Sequence, residues 1–488
     1  KKTGHDAILL VGKATSLSIL IIDDGQVRIE PAEDLAGLSN SETQEMLRSR
    51  LGPEYQTATI GPAGERLVRY ATISHDGRHA GRGGSGAVLG SKNIKAVAVR
   101  GTHRVTWADP AALVTKAREL SEKSFGPATA KYRELGTASN LLAFNRLNVL
   151  PTRNFQQGSF PNAVAISPEE LNTARERTRT SCAACTIGCE HLYRLNDGRK
   201  SVRLEYENLF ALGPLCGIDD PETVLQASRL CDEAGLDTIS AGGTIAFAME
   251  CAEKGLLEAP WLRFGDRHAL LHSLELIISG ADLGRLLANG SRAMALEIGQ
   301  NTIRFAPQVK GLELPGYEPR GLQTMALGFA VGTRGADHNR SGAYEIDFSD
   351  AVDRRDVTPE SIHLAVETED KAALLDSLIL CKFLRGVFDD FYEESASILR
   401  LVTGWNVTAA ELQQTAKNIV TAKKRFNILA GWTPAEDTLP ERILSTPLPE
   451  DPRSELSPER LQTLIQAYNL ARGWTAEGWI EEQPSGPH

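Results

Sequence analysis

Near residue 105 the chain changes its period. Up to about residue 103, short β-branched runs ("AILLVG", "SLSILIIDDGQVRIEP", "IKAVAVRGT") are divided by the turn signals Asp24-Gly25, Gly61-Pro62 and Asp76-Gly77, the pattern of strands in a sheet. From Asp109 onward apolar residues recur at helical spacing. Ser167-Pro168-Glu169-Glu170 sets a capping serine before a proline at the first helical position and a glutamate at the third, and Asp220-Pro221-Glu222 is a second start signal. The expectation is an α+β chain: a β-rich N-terminal domain over 1–103, then two mostly α-helical domains over 104–310 and 311–488. The tail "EEQPSGPH" is polar, contains proline and is expected to be loose.

The 488 residues, 41% hydrophobic, suffice for several cores, roughly two to four domains at ~150 residues each. The most apolar stretch, "AILLVGKATSLSILII", is interrupted by Lys13 and by small polar residues, so no run reaches the ~18 apolar residues of a membrane span. "KKTGHDAILLVGKA" continues into strand-like sequence without a small-residue cleavage site, which gives an expectation of no export signal. With 53 Lys+Arg against 63 Asp+Glu, a formal charge of -10 and no long basic stretch, nucleic acid is not an expected partner. Seven cysteines, an odd number in a long chain, argue for a reducing compartment rather than a disulfide framework. A cytoplasmic protein is expected.

Three of those cysteines, Cys182, Cys185 and Cys189, fall within "SCAACTIGCEHLYRL". The spacing Cys-x2-Cys-x3-Cys on a turn that carries Gly188 can aim three thiolates at one centre, with a fourth ligand from far away. A zinc site also begins with Cys-x2-Cys but usually supplies a second close pair. By spacing alone an iron–sulfur cluster, zinc and simple packing all remain open. Candidates for the fourth ligand are Cys216, Cys231, Cys251 and Cys381; Cys231 and Cys251 lie in apolar helical stretches, where packing is the default. Cys381 stands five residues after Asp376, the same spacing that separates Asp232 from Asp237. In the first copy a helix from Pro221 is expected to end at Gly235 and the next to start at Asp237, so both carboxylates flank a helix junction. There they could accept from neighbouring N–H groups of a flat heterocycle such as a pterin, or Asp237 could simply cap. The second copy has Ile379 in place of Gly235 and so need not turn the same way. "GRGGSGAVLGSKNIKAVAVRGT" adds Gly81, Gly83, Gly84, Gly86 and Gly90 with Arg82 and Lys92, which suits an anion; a glycine-rich tight turn between strands would account for it as well.

Together these segments resemble the aldehyde ferredoxin oxidoreductase family, enzymes that carry tungsten on a pair of pterin cofactors. "GRGGSGAVLGSKNIKAVAVRG", "LPTRNFQQGSF", "CAACTIGC", "EYENLFALGPLCGIDD", "LCDEAGLDTISAGGTIAFAMECAEKG", "TRGADHNRSGAY" and "DSLILCKF" run through nearly the whole chain in the family's order. The resemblance implies that Cys182, Cys185, Cys189 and Cys381 hold a [4Fe-4S] cluster. It implies that Asp232 to Asp237 and Asp376 to Cys381 are the two pterin-binding motifs. Arg82, Gly83, Gly84, Gly86 and Lys92 would belong to the cofactor cradle, with magnesium bridging the pterin phosphates. Glu207 in "LEYENLFALG" looks like the family's catalytic glutamate and His338 in "RGADHNR" like the histidine near the substrate oxygen, against the plainer readings of a helix ion pair and a structural histidine. The implied activity is oxidation of small aldehydes to carboxylic acids, or the reverse. Tungsten, or molybdenum in its place, would sit on a bis-pterin, a ferredoxin or an iron–sulfur subunit would be the electron partner, and the protein would be a homodimer. Two other readings are a non-catalytic iron–sulfur relay or remnant, and the tungsten subunit of an aromatic acyl-CoA reductase complex. Family members begin well before the position matching Lys1, so the rest of the cradle is expected on a further segment or a separate polypeptide, unless the cofactor has been lost.

Overall fold

The computed structural model describes residues 2–198 and 201–481; the tail expected to be loose lies, beyond Glu481, outside the described residues. The β-rich start is a six-stranded sheet in the order β2-β1-β6-β3-β4-β5. Its strands are β1 (Ser18–Asp23), β2 (Gln26–Pro31), β3 (Gln56–Thr59), β4 (Ile73–His75), β5 (Arg78–Ala80) and β6 (Ile94–Arg100). β1 lies in the interior of the sheet, antiparallel to β2 and parallel to β6, and both its faces are buried. That is why it reads as an unbroken apolar run rather than an alternating one. Ile19 and Ile21 pack with Ala96 and Ala98 of β6 against Leu35 and Leu47. Two expected turns close hairpins: Asp24 (φ 50°) joins β1 to β2, and Asp76 (φ 47°) with Gly77 (φ 66°) joins β4 to β5, the doubly left-handed geometry of a type I′ turn.

Two expectations in this region change. "AILLVG" forms no strand; Leu9 and Val11 are exposed, and an apolar run without a neighbour to ladder with has no reason to extend. The glycine-rich segment is not a tight turn, because after Gly84 (φ 72°) it enters the helix Ser85–Ser91, which leads into β6.

The chain divides into two compact units, each built from two stretches: residues 1–106 with 193–302, and residues 107–192 with 303–488. In the first, the sheet is joined by the helices Tyr206–Leu212, Pro221–Ala234 and Thr238–Glu253. Asp220 caps the second of these through Thr223 N (2.9 Å), as its sequence signal requires. The helix Thr238–Glu253 is buried almost throughout. Where it crosses Tyr206–Leu212, a Cβ on Gly242 would lie 2.3 Å from the carbonyl oxygen of Ala211. The close crossing sets where the first turn of Tyr206–Leu212, and hence Glu207, stands.

The second unit is helical. Ile362–Ser377, Phe391–Thr403 and Ala409–Leu429 share a core of Leu374, Ala396, Leu412 and Ala416. Ser167 caps Pro168–Ala174 by accepting from Glu170 N, as expected. Arg472 is buried and paired with both Glu369 and Asp370, an arrangement that keeps three charges satisfied away from water. Among the described residues no helix is long and apolar enough to cross a membrane.

Gly242→Ala forces a methyl onto the Ala211 carbonyl and is expected to destabilise by about 1–3 kcal/mol. Gly25→Ala, with nothing near its Cβ, should stay within about 1 kcal/mol. Denaturant midpoints of the two variants check this.

Candidate functional site

Two helices of the chain end in the same turn. Pro221–Ala234 closes on Gly235 (φ 76°), and Leu236 N donates to Cys231 O at 2.8 Å. After Ile362–Ser377, Ile379 takes φ 57° and Leu380 N donates to Leu375 O at 2.9 Å. The backbone therefore turns alike in both copies, although Ile379 in the second need not have done so. A β-branched residue in the left-handed region costs about 1–2 kcal/mol, and Ile379 is 91% exposed, so its own burial does not repay that. Each turn follows a carboxylate, Asp232 or Asp376, in the last turn of its helix. There the negative end of the helix dipole opposes a negative side chain. Neither position is one that helix stability would select.

In the first unit these elements line a cavity of about 220 Å³. Asp237 begins the next helix: its carboxylate accepts from Ile239 N (3.1 Å) and Ser240 Oγ (2.8 Å) and pairs with Arg82 Nε (3.1 Å), at 5% side-chain exposure. It caps, and it also faces the cavity. Asp232 is a third exposed and lies 3.4 Å from His79 Nε2; its backbone oxygen accepts from Asn40 Nδ2 at 2.8 Å. His79 Nδ1 meets Thr72 Oγ1 at 2.8 Å. Burial, with Arg203 nearby, pushes the imidazole down to about 4, so His79 is neutral at pH 7 and its approach to Asp232 is a polar contact rather than an ion pair. Glu205 and Glu207 also line the cavity, the former pairing with Arg78 at 3.3 Å. The lining thus holds four carboxylates (Glu205, Glu207, Asp232, Asp237) and two guanidiniums (Arg78, Arg203). A wall so rich in acceptors suits a ligand that presents N–H donors better than an anion.

Of the glycine-rich residues, Gly81 lines the cavity with nothing near its Cβ. A Cβ on Gly84 or Gly86 would instead strike the carbonyl oxygen of Arg69 or Thr72 at 2.3 Å. These two glycines let the chain pack on itself. Gly83 (φ 95°) is left-handed within the loop, and Lys92 Nζ donates to Gly12 O at 3.2 Å, at the surface.

The cysteines sort by burial. Cys216, Cys231 and Cys251 are buried, with burial pushing the first two thiols well up. Cys182 and Cys381 are exposed, and Cys185 and Cys189 half-buried. The triplet and Cys381 belong to the second unit, where the short helix Ala130–Leu135 touches both surroundings. Phe383, two residues after Cys381, packs tilted against Tyr132 with centroids 4.2 Å apart. On the other side, Arg133 O accepts from Arg179 Nη1 (3.3 Å) and meets His191 Nε2 (3.1 Å). Within the triplet, Cys185 N donates to Cys182 O (3.1 Å) and Ile187 N to Cys185 Sγ (3.4 Å), the kind of N–H to sulfur bond that steadies a cluster thiolate. Among the described residues no three Cys, His, Asp or Glu side chains converge on a metal-sized point. The donor chemistry, two exposed and two half-buried thiols in one unit, fits a thiolate-held cluster.

In the same unit His338 opens the helix His338–Ser341, buried and stacked on Tyr317 at 4.8 Å. Asp376 pairs with Arg340. Sequence reasoning missed His79, Arg78 and Arg203; the first two sit on β5 directly before the glycine loop, and the period of a strand puts His79 and Gly81 on one side.

Two carboxylates thus stand against helix dipoles, and four thiols lie near the surface. Comparison with known proteins names the group. The family described as aldehyde ferredoxin oxidoreductase, N-terminal domain, matches residues 1–101, and that described as aldehyde ferredoxin oxidoreductase, domains 2 & 3, matches residues 112–484. Tungsten-containing aldehyde ferredoxin oxidoreductases of Pyrococcus furiosus and Thermococcus kodakarensis are each 37% identical over 501 residues, covering 99% of this chain and 81% of theirs. The chain belongs to the aldehyde ferredoxin oxidoreductase family. A chain of the active site complex BamBC of benzoyl coenzyme A reductase, solved in complex with 1,5-dienoyl-CoA, shares the fold. Its TM-score is 0.77 at 22% identity, over 96% of this chain and 78% of that one.

His79 yields a pH prediction. Its pKa falls from 6.5 in the unfolded chain to about 4 in the folded one, so between those values the unfolded state binds more protons. Stability rises with pH across that window and is lost as pH falls through it, by up to about 1.4 kcal/mol per pH unit. His79→Asn is expected to flatten the slope of unfolding free energy between pH 6.5 and 4; an unchanged slope would mean that the imidazole is not held neutral.

Proposed function

We propose that this chain is a tungsten-pterin oxidoreductase that interconverts aldehydes and carboxylic acids and exchanges single electrons with a ferredoxin-type carrier. The observation that carries the reading is the matched pair of turns, each holding a carboxylate against its helix dipole in a chain of this family. A ligand that donates N–H bonds repays a carboxylate held there. In this reading Asp232 and Asp237 serve one pterin and Asp376 the other. Arg82 positions Asp237, and Gly81 and Gly83 leave room for the cofactor. Gly84 and Gly86 serve the same cradle through packing. Lys92, at the surface, would act by its charge.

Cys182, Cys185, Cys189 and Cys381 would hold the cluster, and the bound metal and cluster would supply a two-electron couple and a one-electron outlet. The chain's own residues do the rest. Glu207, as carboxylate, accepts the proton released when water or its equivalent adds to the aldehyde carbon. The helix Tyr206–Leu212, buried at all its other positions, holds the half-buried Glu207 against the cavity. His338 is assigned a hydrogen bond to the substrate oxygen, its ring fixed by the stack on Tyr317.

The test is aldehyde-dependent reduction of an artificial electron acceptor by wild type and Glu207→Gln. Glu207→Gln should lower kcat by roughly 10²- to 10⁴-fold with tungsten, pterin and iron at wild-type levels. Full turnover at normal cofactor content would remove Glu207 from proton transfer.

A further inference from the structure

The acidic chain carries a basic face beside its cysteine triplet. The strand Arg177–Thr180 is exposed along its length and runs directly into Cys182. Arg177 Nη1 donates to Glu134 O at 2.7 Å and meets His191 Nδ1 at 3.2 Å, and Arg179 Nη1 donates to Arg133 O at 3.3 Å. Neither guanidinium is neutralised by a carboxylate among the described residues. Arg179 Nε lies 3.2 Å from where a Cβ on Gly188 would be, so this side chain overlies the loop between Cys185 and Cys189. Lys131, exposed on the neighbouring helix, and Phe125, 60% exposed with Arg133 stacked on its ring at 4.4 Å, extend the face. Over 131–134 and 175–180 the sequence sets Lys131, Arg133, Arg175, Arg177 and Arg179 against only Glu134 and Glu176, while the whole chain carries -10.

We infer that the face formed by Arg177, Arg179 and Lys131 is the docking surface for a small acidic iron–sulfur electron carrier. An arginine held by backbone carbonyls keeps its full charge and a fixed direction, so both can be spent on a partner's carboxylates. The net negative charge of the chain disfavours such a partner over most of its surface, which steers it to this face. Phe125 supplies the apolar contact that a transient interface of this kind needs at its centre. Arg179 reaches over the loop between Cys185 and Cys189 and Cys182 is exposed beside the strand, so a carrier seated on this face lies next to the thiols. The inference rests on the proposed redox role, but its test does not need turnover.

The probe is an oxidised bacterial 2[4Fe-4S] ferredoxin, with its Kd for the purified protein measured calorimetrically. Wild type should bind at about 20 mM salt and weaken steeply toward about 300 mM, where charges are screened within several ångströms. The double variant Arg177→Glu/Arg179→Glu should raise Kd at least about 10-fold and lose most of the salt dependence. Lys131→Glu, which leaves the strand intact, should raise it about 3-fold, and Arg453→Glu, an exposed arginine elsewhere (72%), should leave it unchanged. Kd unchanged in both the double variant and Lys131→Glu, or raised as much by Arg453→Glu, overturns the inference. Reduction of an artificial acceptor by aldehyde is read separately, so its absence in wild type would count against the proposed reaction and not against the docking face.

Discussion

A helix that ends in a left-handed residue has no freedom left in the turn before it, and this chain uses that constraint twice. The bond from Leu236 N to Cys231 O, repeated from Leu380 N to Leu375 O, fixes the backbone around Asp232 and Asp376. Each carboxylate is thereby held at the negative end of a helix, where unaided electrostatics would disfavour it. At the first turn glycine makes the geometry nearly free of cost; at the second, Ile379 pays for it in strain. Backbone strain that persists in an exposed residue marks a place where something other than stability is being served.

The surroundings of the two motifs follow from burial and charge. In the first unit, desolvation keeps His79 neutral, so the carboxylate of Asp232 has a polar neighbour that does not cancel its charge. Asp237 spends its acceptors on Ile239 N, Ser240 Oγ and Arg82 and is rigid for that reason. In the second unit the same physics divides the cysteines. Buried thiols such as Cys216 are pushed toward the neutral form, while those of Cys182 and Cys381 reach solvent, and thiolate rather than thiol is what a metal takes. Thus three cysteines are buried in packing and four reach the surface or its edge.

Local signals were legible in the sequence and distant ones were not. Ser167, Asp220 and Asp237 announce their helix starts because a cap is settled within four residues, and all three cap as expected. Asp76-Gly77 announces its hairpin for the same reason. The run "AILLVG" misleads because strand formation needs a partner that local sequence cannot supply. Ile379 misleads in the opposite sense: its side chain argues against the left-handed turn that the surrounding structure imposes. Gly84 and Gly86 look like an anion cradle in sequence, yet their missing Cβ atoms make room for Arg69 and Thr72. Nothing in one sequence tells these uses of glycine apart. His79, Arg78 and Arg203 escaped notice because a cavity wall is assembled from segments more than a hundred residues apart. The family resemblance, by contrast, was legible in its motifs, since their order along the chain is itself a local record.

The account stands most directly on what the purified protein carries. Elemental and pterin analysis of the protein as isolated should find tungsten together with pterin and about four irons per chain, the content of one thiolate-held cubane beside a pterin-bound metal. Iron at that level with neither tungsten nor pterin would contradict it, and would leave the paired turns at Asp232 and Asp376 without the ligand that explains them.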